Sequence, residues 1–198
     1  KLRRKIELLV KEIETIAREP RFPYSSGPRE YQKEAYQNWV KNNYQGIFAM
    51  ATGTGKTITS LNCLLEESKS KNYHAIILVP TITLVNQWEE EAKSFNFQEI
   101  IKVSSKENWE GRLATTLSTA KRIPKSFIVI TTYASFVKDK FFKNLANFPK
   151  DTLLIADEAH NIGSKSILAK LSQIPFSKRI GLSATPKRIY DLEGSISM

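Results

Sequence analysis

GIFAMATGTGKTITSLNCLL, residues 46–65, decides the fold. A short apolar run over 46–51 gives way to a turn of Gly and Thr, and the turn leads into a helix beginning at Lys56. Thr52, Gly53, Thr54, Gly55, Lys56 and Thr57 supply a phosphate-binding loop complete except for its first glycine, where Met50 stands. Such a loop works through backbone N–H groups that curl round an anion and continue into a helix N-terminus, whose dipole also favours negative charge. Gly53 and Gly55 give the curvature, Lys56 an ammonium for the β and γ phosphates, and Thr57 a hydroxyl for Mg²⁺. The first position of the pattern precedes the curl, so a side chain there can point away from the phosphates and Met50 is tolerable. The competing reading is a Gly-Thr turn with an incidental lysine. Against it, the motif lies between a buried-looking strand and a helix with Ile58, Leu61 and Leu65 on one stripe.

The same kind of apolar run recurs at 74–80, 99–105, 126–133, 152–158 and 179–185, rich in Ile, Val and Leu without polar alternation, as in strands buried on both faces. Helical patterns separate most of them, over 56–70, 84–95, 134–148 and 165–174, and 106–120 is read as a helix too. Repeated βα units predict an α/β fold: a mostly parallel sheet with helices on both faces and ligands at the carboxyl ends of its strands. Upstream, Leu2, Ile6, Leu9, Ile13 and Ile16 recur at steps of three and four. They predict an amphipathic N-terminal helix over 1–19, stopped by Pro20 and packed on the main body or on a neighbour. Residues 21–28 read as a linker and 29–43 as a second helix, so the expected division is 1–27 for helix and linker and 28–198 for the α/β domain.

TLLIADEAH, 152–160, ends a hydrophobic strand with two adjacent acids at the edge where the phosphate loop opens. Burying an unpaired carboxylate costs several kcal/mol or forces protonation, so the pair needs a reason. Mg²⁺ supplies one: Asp157 can hold the ion with Thr57, while Glu158 orients and deprotonates an attacking water. An ordinary helix cap would explain either acid singly, but not the pair together with a phosphate loop. Nucleoside triphosphate hydrolysis, with catalytic Lys56, Asp157 and Glu158, is the stronger reading.

Charge points the same way. The 198 residues carry 30 Lys and Arg against 20 Asp and Glu, a formal +10, which favours a polyanionic partner. Lys121, Arg122, Lys125, Lys138, Lys140, Lys143 and Lys150 face only Asp139 within 121–150, a candidate surface for a nucleic-acid backbone or simply a solvated face. Cys63 sits among leucines and reads as a reduced, packed thiol in a cytoplasmic setting, or a nuclear one in a eukaryote. No run reaches the roughly 20 apolar residues that span a bilayer, so no membrane partner is expected. His74 and His160 lack Cys or His partners at zinc spacing. Trp39 and Trp88 read as core anchors.

With both motifs in hand, the chain resembles the first RecA-like domain of superfamily 2 helicases of the DEAH-box type, over about residues 28–188. The box is Asp157-Glu158-Ala159-His160. Among members, MATGTGKT, LVPTITLVNQW and GLSATPKR are most similar to XPB-like DNA helicases, with type I restriction motor subunits close in style; the family often lacks the glycine replaced here by Met50. The resemblance implies that Gln32, with Arg29, reads adenine and selects ATP. It also implies that Pro80, Thr81, Thr131 and Thr132 lie at nucleic-acid contacts, although the threonines could equally cap helices. His160, Ser183, Ala184 and Thr185 would couple hydrolysis to movement. DNA is implied over RNA. A second RecA-like domain carrying arginine fingers has no counterpart in these 198 residues, so the chain alone is expected to turn over very slowly. The alternatives are a nucleic-acid-binding ATP-sensing clamp without unwinding and the motor subunit of a restriction system.

Overall fold

The structure is a computed structural model, and it describes residues 2–51, 53–159 and 165–184. Thr52, His160 and Thr185, all singled out above, lie outside them. Six strands form one sheet: β1 (Gln45–Ala49), β2 (His74–Val79), β3 (Ile100–Val103), β4 (Phe127–Thr132), β5 (Leu153–Ala156) and β6 (Lys178–Ser183), in the spatial order β1-β6-β5-β2-β4-β3. Each pairing between them is parallel. The helices are α1 (Leu2–Arg18), α2 (Glu30–Lys41), α3 (Lys56–Ser68), α4 (Ile82–Ser94), α5 (Glu110–Ala120), α6 (Tyr133–Phe136), α7 (Asp139–Phe142) and α8 (Lys165–Leu171).

Alternation along the strands sends side chains into two cores. Ala75, Ile77, Val79, Ile128, Ile130, Leu153, Ile155, Ile180 and Leu182 meet Leu61, Leu64 and Leu65 of α3 and Val85 and Trp88 of α4. On the other face, Ile76, Leu78, Phe127, Val129 and Leu154 meet Leu113 and Leu117 of α5 and the aromatic side chains of α6 and α7. Central strands are therefore buried on both faces, as their unbroken apolar runs predict. β1 departs from this. It is an edge strand whose Gln45, Ile47 and Ala49 are exposed and whose Gly46 and Phe48 are half-buried. Among the described residues, the second core contains no β1 or β6 residue.

Two helices differ from the pattern. The helix expected over 134–148 is broken into α6, α7 and a 3-10 turn at Leu145–Asn147, because Lys138 takes an extended conformation (φ −71°, ψ 135°). Phe136, Phe141, Leu145 and Phe148 are all buried in the second core. On a continuous helix Phe136 would point about 140° away from Phe141, so the break lets both rings enter the core. α1 forms as expected, but no residue of it is buried, and Leu2, Ile6, Leu9, Ile13 and Ile16 are 50–74% exposed. Its end is held where the Asn96 side-chain amide donates to the carbonyls of Ala17 and Glu19 and Arg21 N–H donates to the carbonyl of Phe95.

Candidate nucleotide site

Parallel register brings three loops to one edge of the sheet. β6 lies between β1 and β5, with Ala49 beside Ser183 and Gly181 beside Ala156. The phosphate-type loop after β1, Ser183 and Ala184 at the end of β6, and the acids after β5 therefore stand side by side. Met50 N–H donates to the Ser183 carbonyl at 3.0 Å and Asp157 N–H to the Leu78 carbonyl at 2.8 Å, continuing the sheet one residue past each strand. That ladder bond fixes Met50 at the strand end, ahead of the curl.

The curl itself is made by Gly53 (φ +80°) and Gly55 (φ +87°), conformations that cost an L side chain energy. Thr54 folds back, its N–H and hydroxyl both donating to the Ala51 carbonyl. The Tyr31 hydroxyl donates to the Thr54 carbonyl at 2.9 Å, which ties α2 to the loop. α3 then starts at Lys56, with the Thr59 hydroxyl and N–H on the Gly55 carbonyl. Lys56 and Thr57 are half-buried at its first turn.

Lys56 Nζ reaches Glu158 Oε1 at 3.5 Å across 102 residues of sequence. Glu158 adopts φ +48°, unusual for a residue with a side chain, and such strain clusters at functional sites. Its N–H donates to Asp157 Oδ1 at 2.9 Å. Asp157 is buried, and Trp88 Nε1 donates to its Oδ2 at 2.9 Å. Burial pushes the Asp157 carboxyl above its ordinary value. The Trp88 and Glu158 N–H groups oppose that rise, the Glu158 charge adds to it and the Lys56 ammonium lowers it. A cation at this acid would relieve the burial penalty. Thr57, Asp157 and Glu158 offer hard oxygen donors, and among the described residues no group of three or more His, Cys, Asp or Glu gathers round an ion. That fits Mg²⁺, which takes one or two protein oxygens and completes its shell with phosphate and water.

Beside the loop lies a cleft of about 780 Å³, lined by residues 22–27, Arg29, Tyr31, Gln32, Gly53, Thr54, Gly55 and Ile58. Arg29 N–H donates to Gln32 Oε1 at 2.9 Å. Gln32 Nε2 lies 3.7 Å from where a Cβ on Gly55 would stand. Arg29, Gln32 and the phosphate-type loop thus share one cavity. Phe22, Tyr24 and Tyr31 were not foreseen in it. The segment read as a linker forms a wall, fixed by the edge-on packing of Phe22 against Phe95 at 5.4 Å. Its aromatic residues, Phe22 and Tyr24 a few positions before Gln32, were the available signal.

The other candidates are placed less uniformly. Thr81 is exposed, Pro80 half-buried, and the Thr81 hydroxyl caps α4 by accepting from Leu84 N–H. Thr131 is fully buried and its hydroxyl donates to the Thr132 carbonyl. Thr132 is buried too and caps α6 through Ser135 N–H. Capping, one of the two uses open to the threonines, is what the hydroxyls of Thr81 and Thr132 do here. The lysine-rich stretch does not make one face. Lys121, Arg122 and Lys125 precede β4 and Lys150 precedes β5, at the sheet edge opposite the phosphate-type loop, and Lys125 and Lys140 pair with Glu99 and Glu110. Among the described residues no helix is long and apolar enough to cross a membrane.

Residues 25–188 match the type III restriction enzyme res subunit family. The chain belongs to that family. Its phosphate-type loop and acidic box make it a RecA-like domain of the superfamily 2 helicase type. Among relatives of this family member, the DNA 3'-5' translocase XPB2 of Sulfurisphaera tokodaii is 32% identical over 169 residues, 81% of this chain and 31% of the relative. A nuclease-deletion mutant of the Type ISP restriction-modification enzyme LlaGI, solved with a DNA substrate mimic, is similar over 80% of this chain and 17% of its own, at 26% identity and a TM-score of 0.61. The Sulfolobus solfataricus SWI2/SNF2 ATPase core, solved with dsDNA, shares the fold over 83% of this chain and 34% of its own, at 21% identity and a TM-score of 0.62. The chain spans less than a third of the length of the curated relatives it matches.

Proposed function

We propose that this chain is the ATP-binding half of an ATP-driven DNA helicase or translocase. One observation carries the reading: Lys56 of the phosphate-type loop and Glu158 of the distant acidic box meet at 3.5 Å beside the cleft. In it, Gln32 and Arg29 address the adenine edge, with the aromatic wall of Phe22 and Tyr24 beside them. The amides around Gly53 and Gly55 and the first turn of α3 take the phosphates. Lys56 exchanges its contact with Glu158 for phosphate oxygens, and Glu158 orients water and accepts its proton. Thr57 and Asp157 hold Mg²⁺, which when bound neutralises charge on the transferring phosphoryl group. Ser183 and Ala184, between the loop and the acids, report hydrolysis to a second RecA-like domain of the full-length protein, with His160 and Thr185 as further members of that link.

DNA is the polyanion of choice over RNA, supported by the translocase relative, which acts on DNA, and by the LlaGI neighbour with its DNA substrate mimic. Pro80 and Thr81, with the ends of the segments after β2 and β4, are the proposed contacts. A second reading, the motor subunit of a restriction system, is favoured by the family match and by the likeness to LlaGI. An ATP-sensing clamp is separated from both motors by triplex displacement in the full-length protein, since a motor strips a third strand and a clamp does not. Glu158→Gln in the full-length protein is expected to retain nucleotide and to lower turnover at least about a hundredfold. Hydrolysis at the unsubstituted rate would remove Glu158 as the base.

A further inference from the structure

Among the described residues Asp157 accepts three hydrogen bonds and donates one, and two of those it accepts come from side chains on elements that flank it. Trp88 of α4 donates to its carboxylate at 2.9 Å, and the Tyr133 hydroxyl, at the start of α6, donates to its main-chain carbonyl at 2.8 Å. Both donors are buried. Trp39 gives the comparison within the same molecule: an equally buried indole, its N–H satisfied by the Arg179 main-chain carbonyl at 2.9 Å. A backbone carbonyl suffices for a tryptophan that only packs. Trp88 spends its N–H on an ionisable side chain instead, the acid assigned to the metal. It lies two turns along α4 from Thr81, the exposed cap residue, and Tyr133 directly follows Thr132.

We propose that Trp88 and Tyr133 are positioning residues that transmit nucleic-acid binding to the nucleotide site, by tying Asp157 to the two segments that follow β2 and β4. A small shift of α4 moves the indole, and the indole moves the carboxylate that must face the metal and the γ phosphate. A shift of α6 moves the backbone one bond further along the same residue. This inference rests on the functional reading above and adds to it a coupling route distinct from His160, Ser183 and Thr185.

Coupling between two ligands is reciprocal, and a typical value is a factor of about 5 to 150 in affinity. The test is calorimetric titration of the chain with a non-hydrolysable ATP analogue and Mg²⁺, with and without a short DNA duplex. The unsubstituted chain is expected to bind the analogue at least about fivefold more tightly with the duplex present. Trp88→Phe and Tyr133→Phe each reduce that ratio toward one, any change in affinity without DNA dividing out. Trp39→Phe, which removes an indole bond to a carbonyl, preserves it. A ratio retained in both Trp88→Phe and Tyr133→Phe, or lost equally in Trp39→Phe, overturns the proposal, as does a ratio of one in the unsubstituted chain. If Trp88→Phe fails to fold, Tyr133→Phe alone decides. Failure of the functional reading is separate: the unsubstituted chain would then not bind the analogue at all.

Discussion

Gly55 joins the α3 N-terminus to the loop at φ +87°, and a Cβ there would stand 3.3 Å from the Tyr31 hydroxyl. Gly55→Ala should therefore destabilise the fold by about 1–2 kcal/mol, the cost of holding an L residue in the left-handed region. Urea unfolding reads this directly, and an unchanged midpoint would mean that the loop relaxes to another conformation. Gly53, Gly55, Lys56, Thr57, Asp157 and Glu158 were legible as candidates because each belongs to a contiguous motif whose chemistry depends on residue type and spacing. Tyr31, Trp88 and Tyr133 were not. Their partners, Thr54 and Asp157, lie 23, 69 and 24 residues away, and an isolated tryptophan on the buried face of an amphipathic helix reads as packing until its acceptor is seen. Thr131 and Thr81 were grouped by motif alone, and three-dimensional burial tells them apart, Thr131 being buried and Thr81 exposed.

At the scale of elements, hydrophobic runs located each strand to within three residues at either end, because central parallel strands carry no polar alternation to confuse the pattern. The edge strand β1 was read as fully buried, since nothing in its five residues records which neighbours it lacks. The stretch 134–148 looked helical because its apolar content is high, yet burying Phe136 and Phe141 together requires the turn at Lys138. α1 was predicted from its period, and its period could not say what covers it. Because no α1 residue is buried, deleting 2–16 should alter unfolding free energy by no more than about 0.5 kcal/mol. The Asn96 contacts to the carbonyls of Ala17 and Glu19 would survive that cut. A loss above about 2 kcal/mol would show instead that the apolar stripe is packed on the body in solution.

On the scale of the whole molecule, strand order does the work. Placing β6 between β1 and β5 sets the phosphate-type loop and the acids one strand apart, with Ser183 and Ala184 in the gap. The segment before α2 closes the cavity from the side. Neither relation is visible in the sequence, where Lys56 and Glu158 are 102 residues apart; βα repetition implies only that strand ends converge. Titration of ATP analogue and Mg²⁺ into this chain and into its Lys56→Ala variant tests that convergence most directly. The account predicts binding to the unsubstituted chain that tightens with Mg²⁺, and loss of at least about a hundredfold in affinity on removing the ammonium. Equal affinity of the two proteins, or binding indifferent to Mg²⁺, would contradict it.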